Sequence, residues 1–141
     1  MILFQNTTVT LDLDSEAGIV FITYPDLYAI PMPEIKSHIQ IIADLAVEHN
    51  IKKVLLDSSK NMQQATTEES REVATFLAAA LRKTPVQRVA RLQSPKFVLE
   101  ATVRSNIERA VIGGLSFLFE TFNNREDALE WLMNWDEIQM T

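Results

Sequence analysis

Apolar positions recur along this chain first at every second residue, later at every third or fourth, and those changes of period mark out its elements. From Val9 to Asp14 the alternation is clean: Val9, Leu11 and Leu13 fall on one face and Thr10, Asp12 and Asp14 on the other, the pattern of a half-buried strand. Ser15, Glu16, Ala17 and Gly18 supply turn chemistry, and Ile19 to Tyr24 is again strand-like in its β-branched and aromatic content. The two segments predict a hairpin at the edge of a sheet, and Ile2 to Phe4 leaves open whether a further segment pairs beside them. PDLYAIPMP follows, with Pro25, Pro31 and Pro33 breaking regular structure while Leu27, Tyr28, Ile30 and Met32 keep the stretch apolar. Such side chains either pack beneath their own loop or line a pocket. Pro33 suits the first turn of a helix running to about Asn50, whose buried stripe is Ile35, Ile39, Ile42, Leu45 and Ala46.

KKVLLDSS, from Lys52 to Ser59, reads differently. Val54, Leu55 and Leu56 form a short apolar run without alternation, bounded by lysines and then by Asp57, Ser58 and Ser59, as expected of a strand covered on both faces. Thr66 with Glu69 makes a capping-box pattern, opening a helix with Val73, Phe76, Leu77, Ala80 and Leu81 as its stripe. The intervening loop has about eight residues, more than the roughly 2 to 6 common between strand and helix. Pro85 marks a break before Val86 to Leu92, a strand candidate interrupted by Arg88 and Arg91. Ser94 and Pro95 then cap a helix through about Ile112, closed by Gly113 and Gly114, with Leu99, Val103, Ile107, Ala110 and Val111 as its stripe. Leu115 to Thr121 is the last strand, and Asn123 or Asn124 caps a final helix carrying Ala128, Leu129 and Leu132, with Trp131 near the edge of that stripe.

The resulting order is β-β-α-β-α-β-α-β-α in one domain spanning residues 1–141: an α/β chain with a mainly parallel open sheet and an N-terminal antiparallel hairpin. Helices of this length between strands make right-handed crossover units. Ligands in open α/β sheets gather at the carboxyl edge of the strands. That rim is expected to collect Tyr24 and Tyr28, Met32 from the apolar loop, Ser58 and Ser59, Thr66 and Thr67 at a helix start, Ser94, and with it Gln93 and Asn123. Helix amino ends and hydroxyls favour an anion, and the apolar loop favours a hydrophobic body.

Composition narrows the classes. A formal charge of −6 disfavours unspecific nucleic-acid binding, which depends on lysine and arginine displacing counterions. With no cysteine there are no disulfides, thiolate nucleophiles or sulfur-ligated metals. The opening MILFQNTT is too short and uncharged for a secretory signal, and no apolar run approaches the roughly 20 residues that span a bilayer. A cytoplasmic location is expected. No phosphate-binding glycine loop and no nucleophile elbow is present, and no cofactor is implied. His38 lies beside the stripe of its helix with no metal-ligand partner read along the chain, and His49 suits a helix C-terminus.

The order of elements, the strand LLDSS and the closing FETFNNREDALEWL resemble the STAS domains, in the SpoIIAA-like branch that is also similar to lipid-carrying domains of the same shape. The resemblance covers nearly the whole chain, and its ending (Phe119, Phe122, Ala128, Leu129, Trp131, Leu132) is a packing signature. It implies a SpoIIAA-like fold and a non-enzymatic binding module for a small lipid-like or anionic ligand, or else a regulatory module that binds a partner protein or a second copy through an exposed face, with Trp131 or Trp135 at the contact. An enzymatic role has only fold analogy behind it. One departure stands out. Anti-sigma factor antagonists of this family carry a phosphorylated serine in a D-S-S-G-L type sequence at a helix start, whereas here Asp57, Ser58 and Ser59 end the strand itself. Thr66 and Thr67 occupy the equivalent place, where Glu68 and Glu69 would repel a phosphate.

Overall fold

Both patterns, the alternating and the continuous, resolve into strands of one sheet, six-stranded among the described residues. In the computed structural model, which describes residues 1–6, 8–23, 31–57, 59, 67–92 and 117–133, β1 (Ile2–Gln5), β2 (Thr10–Asp14), β3 (Ile19–Thr23), β4 (Lys53–Asp57), β5 (Arg88–Leu92) and β6 (Leu118–Phe122) lie side by side in chain order. β1 to β3 are antiparallel; β3 to β6 are parallel. Three helices accompany them among the described residues: α1 (Met32–Glu48), α2 (Thr67–Leu81) and α3 (Arg125–Met133). The chain is thus α/β, as its periodicity predicts. The expected order needs one amendment. Ile2 to Gln5 is a strand paired to β2, so the antiparallel part has three strands and not two. The expected helix from Ser94 to Ile112 lies outside the described residues, as does Trp135.

The parallel units set the layers. β3, α1, β4, α2 and β5 step across the sheet in one direction, and right-handed crossovers taken in one direction place their helices on one face. On that face Leu11, Val20, Ile22, Val54 and Val89 meet Ile35, Ile39, Ile42 and Ala46 of α1 and Leu81 of α2. α3 packs on the other face, where Ala128 and Leu132 meet Ile19, Leu55, Ala90 and Leu92. β4 therefore has cover on both sides: Val54 is 1% exposed and its neighbour Leu55, pointing the opposite way, 0%. This is the reason that its sequence does not alternate.

Local signals close the elements. Asp14 accepts hydrogen bonds at Oδ1 from the backbone N–H groups of Glu16 and Ala17, and Gly18 takes the positive φ of 71° that brings the chain into β3. α1 ends in a Schellman arrangement, with Ile51 N–H donating to Ala46 O and Asn50 N–H to Val47 O while Asn50 sits at φ 52°. Ile51 is buried there, which aims the chain directly into β4. Asn124 is the residue that caps α3: its Oδ1 accepts from Asp127 N–H at 2.9 Å. β5 corrects an expectation. Arg88 and Arg91 do not interrupt it, and all of its residues are buried, because long arginine stems lie along apolar surface while the guanidinium reaches a partner.

Leu132 lies at the centre of the α3 face with 0% exposure, and Leu118 on β6 is 55% exposed. Leu132→Ala is expected to cost about 2 to 5 kcal/mol in urea denaturation, whereas Leu118→Ala stays within roughly 0.5 kcal/mol.

Candidate functional site

The parallel strands end together. Thr23 pairs with Asp57, Asp57 with Leu92 and Leu92 with Phe122, so the last residues of β3 to β6 form one row across the sheet. β1, two antiparallel steps from β3, runs the same way as β3, and the turn from Asn6 to Val9 opens at this same edge. The rim expected from the sequence thus has its base in the row of strand ends. Tyr24, Tyr28, Ser58, Thr66 and Ser94 lie outside the described residues, although Tyr24 and Ser58 directly follow Thr23 and Asp57 of the row. Thr67 begins α2.

Two of the expected residues have defined surroundings. Met32 opens α1 and packs against the helix-side cluster. Ser59 folds back on the strand end, its backbone N–H donating to Asp57 Oδ1 at 3.0 Å and its hydroxyl donating to the same oxygen. This Asx turn lifts the chain off β4. Asp57 thus ends the strand and Ser59 lies on the turn after it, well before α2 begins.

Charge near the sheet is concentrated in residues that the sequence reading passed over as interruptions. Arg91 is 4% exposed, one residue short of the row, on the helix-side face between Leu56 and Thr121. Its position in the strand lies just beneath the rim. Arg88 faces the other way at the start of β5: its guanidinium lies 4.4 Å over the Trp131 ring, and Nη1 donates to Trp131 O at 2.8 Å, near the negative end of α3. Burial lowers the pKa of Arg88, and an arginine nonetheless keeps its charge. Trp131 also meets Phe122, ring centroids 5.6 Å apart. Arg125, in the first turn of α3, covers the Phe21 ring at 4.6 Å.

A second polar group stands at the β1 side of the rim. His38 of α1 is 3% exposed, with Nε2 3.3 Å from Asn6 Nδ2 and 3.9 Å from Glu34 Oε1. Reading along the chain missed Glu34, although a spacing of four residues puts it one helical turn before His38. Asn6 had no comparable signal, since only the packing of α1 on β1 brings it near.

No known family, curated protein or solved structure matches the chain. Among the described residues no group of three His, Asp or Glu gathers as a metal site would require, and no helix is long and apolar enough to cross a membrane. A groove of about 290 Å³ does exist, lined by Gln40, Asp44, Val47, Phe76, Ala80 and Lys83. It follows the carboxyl-terminal halves of α1 and α2, at the opposite end of the sheet from the rim.

The Asx turn yields a direct check. Asp57→Ala is expected to cost about 1 to 2 kcal/mol in urea denaturation and to speed amide exchange at Ser59, while Asp57→Asn, which keeps the accepting oxygen, retains most of the stability.

Proposed function

We propose that the chain is a non-enzymatic STAS-like binding module of the SpoIIAA-like branch, which holds a small amphipathic or anionic ligand at the carboxyl edge of its sheet. The observation that carries this reading is the in-register row Thr23, Asp57, Leu92 and Phe122, from which the loops bearing the candidate residues depart. The ligand is contacted by Tyr24, Tyr28 and Met32 on its apolar side and by Ser58, Ser59, Thr66, Thr67 and Ser94 on its polar side. The module acts in the cytoplasm.

A second reading, a regulatory or protein-interaction module that pairs with a partner protein or a second copy without a small ligand, draws on one observation. Among the described residues β6 is the terminal strand of the sheet, and its Leu118 is 55% exposed. Light scattering separates the two, since a strict monomer at high concentration removes the homodimer.

Thermal shift tests the ligand reading. A long-chain fatty acid or inorganic phosphate at about 100 times its Kd stabilises by about 2.7 kcal/mol, expected as a rise in Tm of roughly 5 to 10 °C for a domain of this size. Tyr28→Ala is expected to weaken the response to the fatty acid, and Ser58→Ala or Ser59→Ala the response to either. The absence of a shift with any such compound overturns the ligand reading.

A further inference from the structure

We infer that the groove between α1 and α2 docks a second copy of this chain, with Asp44 pairing reciprocally with the partner's Lys83 around a two-fold axis that runs along the helices. The register of the two helices comes first. α1 and α2 each return the chain from the carboxyl edge of one parallel strand to the start of the next, so they run side by side in the same direction. Lys36 Nζ donates to Glu72 Oε1 at 2.9 Å and lies 5.6 Å over the Phe76 ring. This pair stands at the amino end of the groove, and counting turns from it sets Asp44 of α1 beside Ala80 and Val47 beside Lys83.

The groove, about 290 Å³, therefore carries opposite charges on its two walls. Asp44 of α1 and Lys83, just after α2, are both exposed, and among the described residues no ion pair joins them. Asp44 instead accepts a hydrogen bond from Gln40 Nε2 at 2.9 Å. Val47 leaves an aliphatic side chain 56% exposed at the same groove. On the α2 wall, Ala79 and Ala80 are too small to fill the space beside it.

A two-fold axis along the groove sets each α1 against the partner's α2 at the same height. Asp44 then meets the partner's Lys83, and Lys83 the partner's Asp44. Two turns nearer the amino ends, Lys36 and Glu72 exchange across the same axis, again positive against negative. Each Val47 enters the space that the partner's Ala79 and Ala80 leave. An axis across the helices would lay α1 on the partner's α1 instead, with like charges together. The charges thereby select the arrangement, while the apolar part of the groove supplies the area to be buried. Because the groove lies at the opposite end of the sheet from the rim, the contact neither needs nor excludes a ligand there, and the failure of either proposal leaves the other standing.

Sedimentation equilibrium of the full chain provides the test. A monomer–dimer equilibrium that weakens as salt rises is expected, and a strict monomer at millimolar concentration overturns the inference. Asp44→Lys and Lys83→Glu each set like charges together at both contacts, and each is expected to raise the dimer dissociation constant about tenfold or more. Both positions are exposed, so each variant keeps the Tm of the parent monomer. Mixing the two variants restores opposite charges at both contacts. A heterodimer is therefore expected at concentrations at which either variant alone is monomeric, and a mixture that stays monomeric overturns the inference. The double variant, Asp44→Lys with Lys83→Glu, is expected to dimerise like the parent, and Val47→Gln to dimerise more weakly. A dimer indifferent to all these changes sits on another surface, such as the β6 edge, and overturns the inference as well.

Discussion

Parallel pairing of β4 between β3 and β5 is the constraint on which the other features depend. Its ladder fixes Val54 opposite Val20 and Val89, and Leu55 opposite Phe21 and Ala90, so that each face of the sheet offers a continuous apolar surface. A slip of one residue would send every side chain of the strand to the wrong face. Neither helix layer would then find its cluster. Because α1 and α2 must return the chain to the start of the next strand, the same pairing also decides that both helices share a face and that α3, which follows the last strand, is free to cover the other.

Alignment of the strand ends is a by-product of that register. Once the ladders are set, Thr23, Asp57, Leu92 and Phe122 have no choice but to end in a row. Polar chain that would be costly within the sheet is released there, and the Asp57–Ser59 turn shows how a strand end satisfies its own backbone while leaving the edge. The rim is in this sense a consequence of core packing before it is a site.

Three basic side chains are buried against this frame, each by a different device. Arg88 meets a ring face and a helix-terminal carbonyl, which together replace part of its lost hydration. His38 lies against a locked asparagine amide. Arg91 rests between Leu56 and Thr121, beneath the strand ends. A hydrophobic isostere at Arg88 would fill the same space, but it would neither stack on Trp131 nor reach its carbonyl. The charge thereby specifies how α3 lies on the sheet.

Much of this was legible along the chain. Periodicity placed the strands from Val9 onward, the stripes of α1 and α2, the asparagine cap of α3 and the two-sided burial of Val54 and Leu55, because each depends on residues close in sequence and on the solvent contrast between two faces. The pairing of Ile2 to Gln5 was not legible, since a short edge segment has no pattern of its own until β2 lies beside it. Arginines inside β5 looked like interruptions for the same reason: whether a guanidinium is tolerable in a strand depends on Trp131, 43 residues further on. Glu34 could have been found from helical spacing, whereas the approach of Asn6 to His38, 32 residues apart, arises only when α1 docks on β1. The sequence alone determined the elements and their apolar faces, through local periodicity and caps. The tertiary structure decided which strands became neighbours and which polar groups met, because those contacts join residues that no local rule relates.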